Sequence, residues 1–490
     1  MSFRENTVKI VATLGPASSS KEMLTKLINV GVDIFRLNFS HGTHEEKREL
    51  VEKIREISTY TKHTGILADI QGPKIRVGEF KADQAYNLGV GQKVKIFEKE
   101  IEGDQDQFSI PLPGFLKSMK VGDFFFVNDG IIKIKVINKE QDYIIGEVLA
   151  GGTISNRKGV NIPLGELSQK VPTEKDVKDL EFITKLDPEY VAISFVSGGD
   201  DVLHVRKILE NYGNSNIKLI SKIERPVALK NFEQILEFSD GIMVARGDLG
   251  VEIDPDKVPL WQKEMIYKCN REGKPVIVAT QMLESMVSNP IPTRAEANDV
   301  YNAVMDGTDA VMLSAETAVG KYPLNAVHYM NQIAKTATEN MPNRVPDKYD
   351  SDRLTHTQTL GHAIHALARE MQDLNFRGKI LVITRRGFGA RMIAKYRPPL
   401  PIIAMTPFKR TARELSLVWA VQPVHIENID FFNMDAEQII EQSVKLAVEN
   451  KLLDENEHVI ILLVSRKFER RGNLVGLYYV GEILETESNK

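Results

Sequence analysis

Two rhythms of apolar and polar positions alternate along the chain. Short apolar runs at residues 7–13, 32–37 and 65–70 each end in polar or charged residues. Amphipathic stretches with helical spacing lie between them. After the first run, Ser19-x-x-Glu22 has the form of a capping box, Met23, Leu24, Leu27 and Ile28 face inward, and Gly31 stops the helix. A charged helix is expected over residues 45–58. From residue 78 to about 170 this rhythm disappears. Short strands at 93–97, 124–127, 131–136 and 143–149 are punctuated by Gly89, Gly91, Gly122, Gly130, Gly151 and Gly152, which predicts a small all-β insertion. The first rhythm resumes at Thr173, which with Asp176 caps another helix. Apolar runs follow at 190–195, 217–223, 241–245, 275–280 and 309–313, with a helix expected over 226–239. The pattern predicts an α/β fold, a (β/α)8 TIM barrel of residues 1–72 and 171–341, interrupted by a small β-barrel domain at 73–170. A polar stretch at 343–353 reads as a linker. Beyond it, a helix at 356–371 and strands at 379–384, 401–404, 421–426, 458–464 and 474–480 predict an open C-terminal α/β domain, 342–490, whose strand order is not readable.

Composition narrows the function classes. A chain of 490 residues is too long for one core, so several domains are expected. A net charge of −4 gives no sign of a nucleic-acid or membrane-surface partner. No apolar run approaches the roughly 18 residues of a membrane span. The N-terminus shows no signal-peptide pattern, and a cytoplasmic location is expected. Cys269 is the single cysteine, which excludes an intramolecular disulfide and a multi-cysteine zinc site.

In such barrels, chemistry gathers at the C-terminal ends of the strands. Here those ends carry Arg36, Asn38 and Ser40, then Asp69, Ser194, Lys222 with Glu224, Arg246 with Asp248, Thr280, and Ser314 with Glu316. Any one is ordinary, and a lone Lys-x-Glu is usually a surface ion pair. Polar ends on seven strands aimed at one rim are not ordinary. Adjacent strands run about 4.8 Å apart, so Glu224 and Asp248 reach one point. Two carboxylates without His or Cys suit Mg²⁺ or Mn²⁺ rather than Zn²⁺. Arg36, Arg76, Lys222 and Arg246 add positive charge, which fits a phosphorylated substrate. No Ser/His or Cys/His nucleophile stands out. Gly247 and Gly250 allow close backbone approach, or only make the turn.

Six motifs resemble pyruvate kinase: Arg36-Leu-Asn-Phe-Ser-His-Gly, Asp69-Ile-Gln-Gly-Pro-Lys-Ile-Arg76, Ile220-Ser-Lys-Ile-Glu224, Met243-Val-Ala-Arg-Gly-Asp-Leu-Gly250, Ala279-Thr-Gln-Met-Leu-Glu-Ser285 and Met312-Leu-Ser-Ala-Glu-Thr317. Asn128-Asp-Gly and Lys158-Gly-Val-Asn-Ile-Pro163 extend the likeness into the insertion. The resemblance implies phosphoryl transfer from phosphoenolpyruvate to ADP, giving pyruvate and ATP as the last step of glycolysis. It implies Mg²⁺ on Glu224 and Asp248, Lys222 and Arg36 on the phosphoryl group, and Ser194 at the substrate. The carboxylate would lie at Gly247, Asp248 and Thr280. Thr280, Ser314 and Glu316 would serve enolate protonation. Asn38, His41, Arg76 and Lys158 would meet the nucleotide, Lys158 by closure of the lid, with hinges at Gly72-Pro73 and residues 170–172.

The family commonly holds K⁺ on residues matching Asn38, Ser40, Asp69 and the Ile70 backbone. Potassium-requiring members carry Glu where this chain has Lys74, and Thr-Lys at Ile70-Gln71. The resemblance therefore implies an ammonium in place of K⁺ and a potassium-independent variant; the alternative is a hinge lysine pointing to solvent. In the C-terminal domain, Thr384, Arg385, Arg386, Gly387, Gly389 and Arg391 occupy the position of an effector-phosphate loop. A sugar monophosphate or nucleotide fits there, without the Ser/Thr-rich form that suits a sugar bisphosphate; a generic turn with solvated arginines is the alternative. A homotetramer is implied. The rival readings are another Mg²⁺-dependent phosphoenolpyruvate- or pyruvate-using barrel, such as an aldolase or dikinase, and a non-catalytic metabolite sensor on the same fold.

Overall fold

A computed structural model describes residues 7–58, 63–128, 130–162, 170–341, 356–427, 429, 434–465 and 472–485. Eight parallel strands close into a barrel: β1 (Lys9–Thr13), β2 (Ile34–Asn38), β3 (Gly65–Asp69), β4 (Tyr190–Ile193), β5 (Lys218–Ile223), β6 (Gly241–Ala245), β7 (Val276–Ala279) and β8 (Ala310–Leu313). Each pairs with its sequence neighbour, and β1 pairs with β8. The ring closes across the insertion through Leu67 beside Tyr190. These strands are buried on both faces, which is why they read as continuous apolar runs. Val11, Ile34, Leu67, Ile220, Met243, Ile277 and Met312 form one buried cluster, joined by Leu417 of the C-terminal domain.

Two local expectations need correction. Ser20, not Ser19, caps the first helix (Lys21–Val30), accepting from the Met23 amide. The turn before it takes one residue more, because Ser18 Oγ accepts from the Gly15 amide and holds the chain there. The helix does stop at Gly31, whose φ of 124° a side chain would resist. The single helix expected over 226–239 is two, Pro226–Lys230 and Phe232–Phe238. The break is at Asn231, whose side chain donates to the Ser197 carbonyl across the neighbouring loop. The Thr173–Asp176 capping box forms as expected.

Between β3 and β4 lie a six-stranded sheet and a two-stranded sheet with their own core, including Phe108, Phe115, Phe125, Ile134 and Ile144. At its base, Val77 donates to the Lys158 carbonyl and Val160 to that of Ile75. Arg76 and Lys158 are thus carried on paired backbone. The C-terminal unit is a five-stranded sheet in the order Val421–His425, Ile402–Thr406, Gly378–Ile383, His458–Ser465, Gly472–Tyr479, the last antiparallel. The linker expected at 343–353 lies outside the described residues.

This last unit docks on the end of the barrel opposite the polar rim. Asp309, just before β8, accepts from Arg397 Nη1 at 3.2 Å, Arg397 Nη2 at 3.0 Å, the Trp419 amide at 3.1 Å and the Val276 amide at 3.1 Å. The Arg397 guanidinium lies over the Trp419 ring at 5.1 Å. Cys269 is fully buried in the helix Val258–Glu272, and burial pushes its thiol well above the usual range.

His365, on the helix His356–Asp373, is buried, and neither ring nitrogen has a hydrogen-bond partner among the described residues. Burial, with Arg369 and His362 adding, pushes its pKa down to about 4. An unfolded imidazole titrates near about 6.5, so over that interval the unfolded chain binds more protons. The stability linked to His365 is therefore full above pH 6.5 and is lost as pH falls through about 4. Urea unfolding of wild type and His365→Leu from neutral to acid pH should show a flatter acid limb for the variant. Identical slopes would remove His365 as the cause.

Candidate active site at the barrel rim

β3, β4 and β5 are neighbours, so the side chains at their ends meet. Lys222 Nζ lies 2.8 Å from Ser194 Oγ, 2.9 Å from Glu224 Oε1 and 3.4 Å from Asp69 Oδ1. Arg36 Nε donates to Asp69 Oδ2 at 2.7 Å, and Nη1 donates to Thr13 Oγ1 at 3.1 Å. The Phe195 amide donates to Glu224 Oε2 at 2.7 Å. Lys222, Arg36, Asp69 and Glu224 thus form one buried cluster, and buried charges persist only when paired. Burial pulls the Lys222 ammonium down, but Asp69 and Glu224 outweigh it, and the pKa is pushed up to about 12. Burial pulls Asp69 up, but Lys222 and Arg36 hold it below the usual carboxylate range. Glu224 is raised: burial dominates, Lys222 partly offsets it, and the charge of Asp248 adds to it.

That repulsion is what a cation between Glu224 and Asp248 would relieve, so the residues fit a hard divalent ion. Among the described residues no group of three or more His, Cys, Asp or Glu is placed to hold a metal ion. The other coordination positions would fall to water and substrate oxygens, as is usual for Mg²⁺.

The chain leaving β6 turns at once into the helix Arg246–Glu252, with Gly247 and Asp248 in its first turn. Arg246 corrects the sequence reading. Its guanidinium is not left free to add charge beside the Glu224 and Asp248 carboxylates: Nη1 lies 2.6 Å from Asp299 Oδ1 and Nη2 donates to the Thr280 carbonyl at 2.9 Å. It braces the loop after β7. In that loop, Thr280 and Gln281 have φ of 69° and 54°, a left-handed pair rare outside strained sites. Thr280 Oγ1 accepts from the Gly247 amide at 2.6 Å. A Cβ on Gly247 would lie 3.3 Å from that oxygen, so this approach favours glycine. Glu316, buried and raised by its burial, accepts from the Ser314 amide at 2.6 Å and the Leu283 amide at 3.1 Å. It ties the loops after β7 and β8 together.

Of the remaining sequence-selected residues, those following β2 and β3 lie beside this cluster, and the loop after residue 383 lies in the C-terminal domain. His41 is held below the usual imidazole range, first by burial, then by Arg76, Lys47, Lys74 and Arg36. It thus marks a positive field built from barrel and hinge together. Lys47 was missed in the sequence. It lies buried on the same helix face as Leu50, Val51 and Ile54, and a lysine on an apolar stripe was the available signal. Asn38 Oδ1 accepts from the Ser40 amide at 3.0 Å, and the Ile70 carbonyl accepts from Ser194 Oγ at 2.7 Å. Lys74 is exposed. In the C-terminal domain, Thr384 Oγ1 accepts from the amide of Gly387 at 3.2 Å, and Gly387 has φ of 72°. Gly389 lies buried in the helix Phe388–Ala394. Arg385 lies over the Phe408 ring at 5.6 Å, Arg386 is exposed, and Arg391 Nη1 reaches the Arg386 carbonyl at 3.4 Å.

Barrel, lid and rim define a phosphotransferase of the barrel class, with cations and a metal-ready carboxylate pair at one opening. The family model "Pyruvate kinase, barrel domain" matches residues 5–327, and "Pyruvate kinase, alpha/beta domain" matches 362–473. A pyruvate kinase of Staphylococcus haemolyticus is 42% identical over 97% of this chain and 80% of its own length. One from Staphylococcus aureus is 43% identical over 92% of this chain and 77% of its own. A crystal structure of a pyruvate kinase from Cryptosporidium parvum superposes with TM-score 0.88 at 35% identity, covering 97% of this chain and 96% of that one. The chain belongs to the pyruvate kinase family. It is a kinase that moves the phosphoryl group of phosphoenolpyruvate to ADP. The family uses Mg²⁺ and usually K⁺. No described helix is long and apolar enough to cross a membrane.

Lys222→Met should lower kcat in a lactate-dehydrogenase-coupled assay by about a thousandfold, the scale for losing a preorganised charge at the reacting group. Circular dichroism should stay that of the wild type. A folded variant within about tenfold of wild type would take Lys222 out of the reaction.

Proposed function

We propose that Glu224 and Asp248 hold Mg²⁺ or Mn²⁺, with phosphoenolpyruvate lying between it, Arg36 and Lys222. Bound there, the ion would supply charge neutralisation for the phosphorylated substrate. Arg36 grips the phosphoryl group, and Lys222 neutralises it as it leaves the enol oxygen for the ADP β-phosphate. Ser194 holds Lys222 in place. The backbone at Gly247 and Asp248, with Thr280, receives the substrate carboxylate. The enolate then takes a proton at its methylene carbon on the Thr280 side, a route supported by Ser314 and Glu316. Asn38, His41, Arg76 and Lys158 bind the ADP phosphates, Lys158 arriving with the lid, which also excludes water. One observation carries this reading: Asp69 braces Arg36 and Lys222 together, and Lys222 touches Glu224. A sensor without turnover would have no use for an ammonium kept charged beside the metal carboxylate.

Potassium independence is the second part of the proposal. Lys74 replaces the K⁺ charge at the hinge, where its own charge is felt at His41. The engagement of Asn38 Oδ1, Asp69 and the Ile70 carbonyl by protein donors supports it; Ser40 completes the set. Pyruvate formation from phosphoenolpyruvate and ADP with Mg²⁺, in tetramethylammonium buffer, should change little when KCl is added. A large K⁺ requirement would overturn this part, and absence of pyruvate in either salt would overturn the whole.

The loop from Thr384 to Arg391 takes a phosphorylated effector, a sugar monophosphate or a nucleotide such as AMP, through its arginines. Arg386→Ala should abolish any response of the rate to these compounds while leaving basal activity intact. A response that survives the substitution places the effector elsewhere. We also take the enzyme to be a cytoplasmic homotetramer; the edge strand Gly472–Tyr479, with Leu474 and Leu477 exposed, supports association.

A further inference from the structure

We infer that Glu252 is the barrel-side anchor of the lid and a positioning residue for the nucleotide. Glu252 ends the helix Arg246–Glu252, one turn beyond Asp248. Its side chain is 5% exposed. Oε2 is buried without a hydrogen-bond partner, and its nearest cation is Arg225 Nε at 3.9 Å. Oε1 lies 3.5 Å from Asn161 Nδ2 of the inserted domain. A carboxylate buried this way opposes folding unless its position serves something else.

The surroundings say what that is. Among the described residues, Asn161–Glu252 is the only side-chain hydrogen bond joining the inserted sheets to the barrel. Beside it, a Cβ on lid residue Gly130 would come 3.2 Å from Val251 Cγ2, so the lid backbone packs closely on the Val251 side chain. The charge of lid residue Lys133 is felt at Asp254. Val251, Glu252 and Asp254 therefore make one seat for the lid. Asn161 lies three residues after Lys158, on the strand Val160–Asn161 that pairs with Phe126 and Val127. Fixing Asn161 therefore constrains the position that Lys158, three residues before it, can take relative to the barrel. Val251 and Glu252 sit on the helix that carries Gly247 and Asp248, so the lid is registered against the metal-binding turn itself. Glu252 acts through Asn161 and Lys158 and touches no substrate.

This rests on the reading of Lys158 as a nucleotide contact, so the experiment separates the two. Steady-state kinetics on the full chain with Mg²⁺, varying ADP and phosphoenolpyruvate separately, are measured for Glu252→Ala, Asn161→Ala, their double variant, Glu252→Gln and Lys158→Ala. Glu252→Ala and Asn161→Ala should each raise KM for ADP about fivefold, the scale of one hydrogen bond. KM for phosphoenolpyruvate should not move. The double variant should be no worse than the poorer single one, and Glu252→Gln, which keeps an acceptor oxygen, should restore ADP affinity. Additive losses, equal rises in both KM values, or a glutamine variant as poor as alanine would overturn the anchor. A Lys158→Ala effect on ADP without a Glu252→Ala effect would do the same while leaving the lid reading standing. No Lys158→Ala effect would overturn the lid reading. If Glu252→Ala does not fold, Asn161→Ala and Glu252→Gln decide on the same criteria.

Discussion

An ammonium buried at the mouth of a barrel stays charged only if carboxylates stand on either side of it. Lys222 meets that condition because β3, β4 and β5 are adjacent and in fixed register, with Tyr190 beside both Leu67 and Lys218. A one-residue slip of any of these strands would turn Asp69, Ser194 or Lys222 away from the others. The pairing of the barrel strands is therefore not only what holds the fold. It is also what keeps Lys222 protonated. Asp69 has a double duty in this, since the same carboxylate aims Arg36. Remove it, and both cations lose their common support.

The insertion shows how a second unit is added without disturbing that constraint. β3 and β4 pair directly, so the ring does not depend on the residues between them. The inserted sheets have a core of their own. They meet the rim through hinge backbone and a small seat on the helix after β6. The rim cluster on the barrel and Lys158 on the insertion are held by separate cores, which is the arrangement a moving cover needs.

Much of this was legible in the sequence, and the reasons differ by element. The barrel was readable because doubly buried strands give unbroken apolar runs, and their ends switch abruptly to charge. Lys222, Glu224 and Asp248 stood out in the sequence because ligand chemistry restricts residue type, and the structure brings Lys222 against Glu224. Arg246 was misread because its partner, Asp299, lies on another helix 53 positions later. The break at Asn231 depends on a carbonyl at Ser197, which no local pattern reveals. Ser20 displaced Ser19 through a turn that used one residue more than the motif suggested. Lys47 was passed over because its helix is so densely charged that one inward lysine did not stand out. The strand order of the last sheet carries no local signal, since it is settled by long-range packing.

Cys269 is the only thiol in the chain, and it is sealed inside the barrel's helical layer. The surface therefore carries no native sulfhydryl for a maleimide to find. A pair of cysteines introduced on the outer lid and the outer barrel would accept donor and acceptor dyes without background labelling. The distance between the two units during turnover could then be read by fluorescence transfer in an otherwise unmodified enzyme.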